Sequence, residues 1–248
     1  KILPFIRIPY KSAADMKVAE AIDTVSERVI TNPFGGGQTV KKRMKNFIIK
    51  EGVVSIPNLG STVLIRDISI PDTVQKIEAK AFYGWQNLDA INLPDSVTEI
   101  GEYAFALSGI YNVTFPSHLK IISKGMFRDC QHLGAFNRIR LPDSIQYIEE
   151  EAFLNCRGLR EISLPNNIKE IGANAFTNTE LYRIVLPYGI EKIDPENFDT
   201  LKEIYVDGRE YERYKDYFNS DAEVLIVNEE VLYEENSNDI NIFKYYGK

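Results

Sequence analysis

The 248-residue chain contains two histidines and two cysteines beside 36 carboxylates, so its means of doing chemistry can be surveyed residue by residue. His118 and His132 fall in different parts of neighbouring segments, and Cys130 and Cys156 have no close Cys or His companion. A zinc site needs three or four such ligands at short spacings, so no metal site is expected. No Gly-x-Ser-x-Gly elbow occurs and neither cysteine has an adjacent base, which leaves no activated nucleophile. Gly35-Gly36-Gly37-Gln38-Thr39-Val40-Lys41 has the glycines of a phosphate loop without its Gly-Lys-Ser/Thr ending, and reads as a hinge. The carboxylates isolate no pair for general acid–base work. The chain is therefore expected to be non-enzymatic, with no catalytic residue, metal or cofactor.

Composition narrows the partners. Hydrophobic residues make up 44% and charged residues 26%, the balance of an ordinary globular chain. No apolar run approaches the roughly 20 residues of a membrane-spanning helix. A net charge of -7 argues against nucleic acid as the main partner. That charge is uneven: residues 1–52 hold ten bases and five acids, residues 207–248 eleven acids and five bases.

The elements that must position any site come from an internal repeat. Six segments share the form I-x-L-P-x-x-V-x-x-I-x-x-x-A-F, with prolines at 71, 94, 116, 142, 165 and 187 and phenylalanines at 82, 105, 127, 153, 176 and 198. Both landmarks are spaced 23, 22, 26, 23 and 22 residues apart, and a seventh unit starts at Leu201 and breaks off. In each unit the Ile and Leu of I-x-L point inward from a short strand, and the proline, lacking an N–H, ends it. Thr73, Ser96, His118, Ser144, Asn167 and Gly189 then mark a turn, and the Ala-Phe pair fills the far wall. One unit cannot bury its own apolar face, whereas stacked units can. Cys130 and Cys156 both lie three residues after a phenylalanine, hence on adjacent rungs, where two buried free thiols and a disulfide are both open.

The I-x-L-P strands, the Ile100-Gly101 and Ile171-Gly172 walls and the F-x-x-C endings over residues 65–206 resemble the leucine-rich repeat family, in its short bacterial 22- to 23-residue class of BspA-like surface proteins. The resemblance implies an α/β repeat solenoid: a right-handed superhelix with a parallel sheet on one face, few helices and a cap at each end. Residues 1–62 are expected to form the N-terminal cap, with a helix over 12–31, a degenerate unit at Ile6-Arg7-Ile8-Pro9, and strands at Phe47-Ile48-Ile49 and Val53-Val54. Residues 63–206 hold the repeats. Residues 207–248 are expected to give a helix carrying Tyr211, Tyr214, Tyr217 and Phe218, a closing strand at 223–227, and over 228–248 either an acidic tail or a docked extension.

Function would then sit in the outward strand positions. The residue before each strand Ile runs Asp67, Ala90, Asn112, Arg138, Glu161, Arg183, Glu203, and the residue after it Ser69, Asn92, Thr114, Arg140, Ser163, Val185, Tyr205. Alternating signs in the first column read either as a structural charge ladder or as a binding face. The binding reading rests on Arg138, Arg140, Arg160, Glu161, Tyr182, Arg183, Tyr188 and Tyr205, because Arg and Tyr are enriched in hot spots. The 26-residue interval adds a bulge over Gln131–Arg138, with His132 and Phe136 as contact candidates. The sequon Asn112-Val113-Thr114 lies inside a strand. The family resemblance implies a protein-binding module on the bacterial surface or secreted, adhering to host or matrix proteins. Two alternatives stand beside it: a cytoplasmic scaffold or regulatory module, and a carbohydrate-binding module using Tyr83, Trp85, Tyr111 and Tyr182.

Overall fold

The computed structural model describes residues 22–30, 42–61, 65–198, 201–218 and 222–227. Each repeat makes one turn of a coil with three sides. The I-x-L-P segments give the first side: β4 (Ile65–Ser69), β6 (Ala90–Asn92), β8 (Asn112–Thr114), β10 (Ile139–Arg140), β12 (Ile162–Ser163), β14 (Arg183–Leu186) and β16 (Glu203–Asp207). Their register stacks like on like, with Ile91 beside Val113, Ile139 beside Ile162, and Ile184 beside Ile204.

A second strand column, not anticipated from the sequence, follows each proline turn. It consists of β3 (Ser55–Ile56), β5 (Lys76–Ile77), β7 (Glu99–Ile100), β9 (Ile121–Ile122), β11 (Tyr147–Ile148), β13 (Glu170–Ile171) and β15 (Lys192–Ile193). The solenoid therefore carries parallel strands on two sides, where one sheet was expected. Each of these strands is two residues long and buries only its second residue, so alternation never runs far enough to announce it. The turn residues join the two columns. Ser96 Oγ donates to the Val74 carbonyl at 2.7 Å, Ser144 Oγ to that of Leu119 at 2.6 Å, and Thr73 Oγ1 to that of Val53 at 3.0 Å, each reaching the rung before.

The third side holds the Ala-Phe segments. Phe82, Phe105, Phe127, Phe153 and Phe176 form a buried stack with ring centroids 5.4–5.5 Å apart and planes within 14° of parallel. The amides of the first four donate to the carbonyl of the Ala or Met in the next rung, as in Phe105 N–H to Met126 at 3.0 Å and Phe127 N–H to Ala152 at 2.9 Å. Two corners of this side require left-handed backbone. One is Lys80, Tyr103, Gly125, Glu151 and Asn174; the other is Gly84, Leu107, Asp129, Asn155 and Asn178. In the second corner, Asn155 Nδ2 donates to Asp129 Oδ1 at 2.8 Å and Asn178 Nδ2 to Asn155 Oδ1 at 2.9 Å.

The two ends depart from expectation differently. The helix predicted over 12–31 is contradicted at 22–30, which form β1 (Ile22–Ile30), antiparallel to β2 (Lys42–Ile49). Ile22, Val25 and Val29 do have helical spacing, but Ile22, Thr24, Val25, Val29 and Ile30 are β-branched and stiff at χ1, which favours a pleated strand once a partner is available. β2 then starts the parallel stack beside β4, with Phe47 opposite Ile68. Val53 and Val54 precede β3 without joining a strand. Residues 6–9, 12–21, the 35–37 hinge and the 228–248 tail lie outside the described residues.

At the far end Asn197 occupies the position of the repeat's alanine. It is buried, and its side chain does the work that the backbone carbonyl of this position does in the earlier rungs. Its Oδ1 accepts the Phe176 amide at 2.9 Å, while Nδ2 donates to the carbonyls of Gly172 at 3.0 Å and Asp194 at 2.9 Å. Helix α1 (Tyr211–Tyr214) is a single turn rather than the span to 218, and continues as a 3₁₀ turn to Tyr217. Tyr214 is buried and donates to the Ile190 carbonyl at 2.6 Å, whereas Tyr217 is exposed. β17 (Glu223–Val227) closes the first side beside β16 as expected.

Two stability outcomes follow from these contacts. Asn197→Ala leaves the buried Phe176 amide without its acceptor and is expected to cost about 1–3 kcal/mol, read as a lowered urea midpoint at unchanged slope. Leu107 is exposed and held at φ 57°, a conformation that costs a leucine about 1–2 kcal/mol and an asparagine less. Leu107→Asn should therefore raise the midpoint, by about 0.5–1 kcal/mol. An unchanged or lower midpoint would show that the corner is not strained.

Candidate functional site

The outward face of the first side carries a charge ladder, one of the two readings that its alternating signs left open. Arg138 Nε and Nη2 meet Glu161 Oε2 at 2.9 and 2.8 Å, and Arg183 Nη2 lies 3.9 Å from Glu161 Oε1. Arg183 in turn pairs in register with Glu203. One position earlier along the rung, Arg66 binds Asp89, and Arg160 Nε in the same column meets Glu180, two residues before that column's Tyr182, at 3.1 Å. Side chains so engaged hold each other in a partly wet setting, where each pair is worth only about 0.2–1 kcal/mol.

Of the proposed contact residues, Tyr182 is 56% exposed and Arg140 and Arg160 are exposed. Tyr188 is 51% exposed but tied down, since the Arg209 guanidinium lies 4.0 Å over its ring. That guanidinium also grips buried Asp207 at 2.8–2.9 Å and thereby lowers its carboxyl pKa. Tyr205 is not a contact residue: it is 2% exposed, in the middle strand of the closing sheet, flanked in register by Val185 and Leu225. Trp85 likewise drops out of the carbohydrate face. It is 1% exposed, packs edge-on against Phe47 and Phe82 at 5.3 and 5.1 Å, and donates to the Gly60 carbonyl.

The irregular rung gives the face its relief. Leu133 and Ile139 are both buried, and the link between them is three residues longer than the equivalent link from Leu159 to Ile162. The surplus projects outward. Gly134, at φ 77°, bends the chain and donates its amide to the Tyr111 carbonyl at 3.0 Å, and a Cβ there would press on Leu159. Phe136 is lifted to 78% exposure and lies edge-on against Tyr111 with centroids 5.7 Å apart. His132 is exposed at the start of the same bulge. Ladder pairing stops here: β6–β8 and β10–β12 form separate two-stranded sheets.

A second polar cluster lies on the third side. Glu151 Oε2 accepts from Arg128 Nη1 at 2.6 Å and from the Tyr103 hydroxyl at 3.2 Å, so one tyrosine spans two rungs across Gly125. Burial, then Glu151, raises the Tyr103 pKa. Every member is compensated, which makes this a strut. Among the described residues, no group of three or more His, Cys, Asp or Glu side chains is arranged to hold a metal ion, and no helix is long and apolar enough to cross a membrane.

The thiols occupy one interior column with Ser108 and Thr179. Cys130 Sγ donates to the Phe105 carbonyl and Cys156 Sγ to the Phe127 carbonyl, both at 3.0 Å, and Ser108 Oγ lies 3.3 Å from Cys130 Sγ. Both cysteines are free and buried. Burial pushes the Cys130 thiol up from 9.0 to about 12 and the Cys156 thiol well above 9.0. Neither is a nucleophile at neutral pH.

The family model described as the BspA-type leucine-rich repeat region matches in six copies, over residues 60–138 and 132–224. A leucine-rich repeat protein from Bacteroides ovatus superposes with a TM-score of 0.53 at 22% identity, over 74% of this chain and 52% of its own. One from Eubacterium ventriosum gives 0.56 at 24%, over 63% and 42%. The chain thus spans about half the length of these structures, and at such identity the likeness concerns the fold. No curated protein matches the chain by sequence.

The raised acids set an alkaline limit on stability. The Cys130 thiol and the Tyr214 hydroxyl, also pushed by burial to about 12, ionise later in the folded than in the unfolded chain. Their contribution is complete below about pH 8.5 and is lost as pH climbs towards 12. Thermal midpoints should fall across that window, and iodoacetamide should modify neither cysteine in the native protein at pH 8 while labelling both in urea. Rapid native labelling would mean that the interior column opens.

Proposed function

The chain belongs to the BspA-type leucine-rich repeat family, whose members are typically protein-interaction modules, and on that basis we propose that it is a non-catalytic module that binds a protein through the outward face of its first side. The observation that carries this reading is the bulge. Phe136 is displayed at 78% exposure on a backbone fixed by Gly134 and a ring braced by Tyr111, with Tyr182 exposed on the same face. A rigidly presented aromatic loses little entropy on binding, which is how such residues become anchors. Arg138 and Arg183 are better read as supports, since both are engaged with Glu161.

The same reading makes the protein secreted or surface-displayed and adhesive, with a host or matrix protein as partner. Family membership supports this. The carbohydrate alternative is weakened by the burial of Trp85.

Immobilised wild type and Phe136→Ser/Tyr182→Ser, matched by circular dichroism, would be compared on a panel of purified matrix and serum proteins. The expected outcome is a ligand that binds the wild type and loses about ten-fold or more in affinity to the double variant. A ligand held equally by both would move the site off this face.

A further inference from the structure

The arginines around the bulge fall into two groups. Arg66, Arg138, Arg160 and Arg183 each have an acidic partner. Arg140 and Arg157 are exposed, and neither has a side-chain partner among the described residues. These two bracket the insertion. Arg140 follows its end, outward on β10. Arg157 precedes Gly158, whose Cα hydrogens face Gln131 and His132 so closely that a Cβ would lie 2.9 Å from the Gln131 carbonyl. In a chain of net charge -7, two uncompensated guanidiniums thus flank the most exposed large apolar side chain described.

Arg140 is also the only charge in its column of the first side. Its in-register neighbour is Ser163, and Thr114 holds the equivalent position one rung earlier. It supports no ladder, so its charge has no structural use in the solenoid. A guanidinium in that state is a fork of donors matched in plane and spacing to a carboxylate.

From this arrangement we infer that the site around the bulge recognises an extended acidic segment of its protein partner, with carboxylates meeting Arg140 and Arg157 and an apolar side chain seated on Phe136 and Tyr111. The inference rests on the first-side binding reading and names the chemistry of the partner. Opposite charge also speeds encounter, and at the bulge it is Arg140 and Arg157 that supply it.

The test uses a phage-displayed library of random linear peptides, selected on the full chain. Selected peptides are then measured against wild type, Arg140→Glu/Arg157→Glu, Phe136→Ser, and a charge-matched Lys120→Glu/Lys169→Glu control on the other strand column. All positions are at or near the surface, and thermal midpoints confirm folding. Expected are peptides rich in Asp and Glu with an aromatic or aliphatic residue, weakened about ten-fold or more by the arginine reversal and by Phe136→Ser, and unmoved by the lysine control. Their affinity should also fall with added salt. Peptides lost with Phe136→Ser but indifferent to the arginine reversal would overturn the acidic class and leave the binding face standing. Peptides indifferent to every first-side variant, or no enrichment over an unrelated bait, would overturn both.

Discussion

Backbone hydrogen bonds tie the rungs of this solenoid together on three sides, with the strand ladders interrupted in places, as between β8 and β10 and between β7 and β9, and that constraint governs which residues the sequence can use. A turn of 22 or 23 residues has no interior large enough to shelter an unpaired amide, so the polar backbone must be satisfied by the rung above or below. Stacking in register then follows for the side chains. Phe lies on Phe at about 5.5 Å, Ile on Ile, and the two strand columns and the Ala-Phe side share one repeat length. A residue added on any side must be absorbed there, because the other two cannot slip.

The corners show what that constraint costs. Two positions per rung lie at positive φ, and glycine, asparagine and aspartate occupy several of them, but so do Lys80, Tyr103, Leu107 and Glu151. Left-handed backbone at such residues is unfavourable on its own. It is retained because neighbouring amides are committed to the ladder: Lys80 to Glu102, Tyr103 to Lys124, Leu107 to Arg128. Some corner side chains recover part of the cost by bonding between rungs, as Tyr103 does with Glu151 and Asn155 with Asp129. The ends obey the same accounting of donors and acceptors. Asn197 substitutes its side-chain oxygen for the backbone carbonyl that accepts the Phe amide in earlier rungs, and β1 adds an antiparallel strand where the parallel stack begins.

The repeat was legible in the sequence because stacked interiors demand the same residue at the same place, and six copies make that demand visible. The second strand column was hidden by brevity, since one inward isoleucine per strand has no period. The N-terminal strand was misread because apolar residues three and four apart fit a helix, while the β-branched content that opposes a helix was given too little weight. Trp85 could have been placed correctly: it lies three residues after Phe82, the same offset that sets Cys130 and Cys156 inside. For Tyr205 no such signal exists. Its position is outward in every internal rung, and its burial depends on where it sits in the closing sheet.

The bulge is the place where constraint and freedom meet. On either side of it the stack is undisturbed: Tyr147 still pairs with Ile121, and Phe153 still stacks on Phe127. The three additional residues are therefore confined between two buried anchors, Leu133 and Ile139, and accommodated in a bulge whose Phe136 and Asn137 are exposed. Several outward residues elsewhere on the face have work within the solenoid as ladder partners, such as Arg138, Glu161 and Arg183, so changing them has a structural consequence. Phe136, by contrast, buries little and meets the neighbouring rung only edge-on at Tyr111, yet its presentation is fixed by Gly134 and Tyr111. A side chain that is costly to expose and contributes little to the stack, held on a rigid frame, is where a repeat protein can acquire specificity without disturbing that stack.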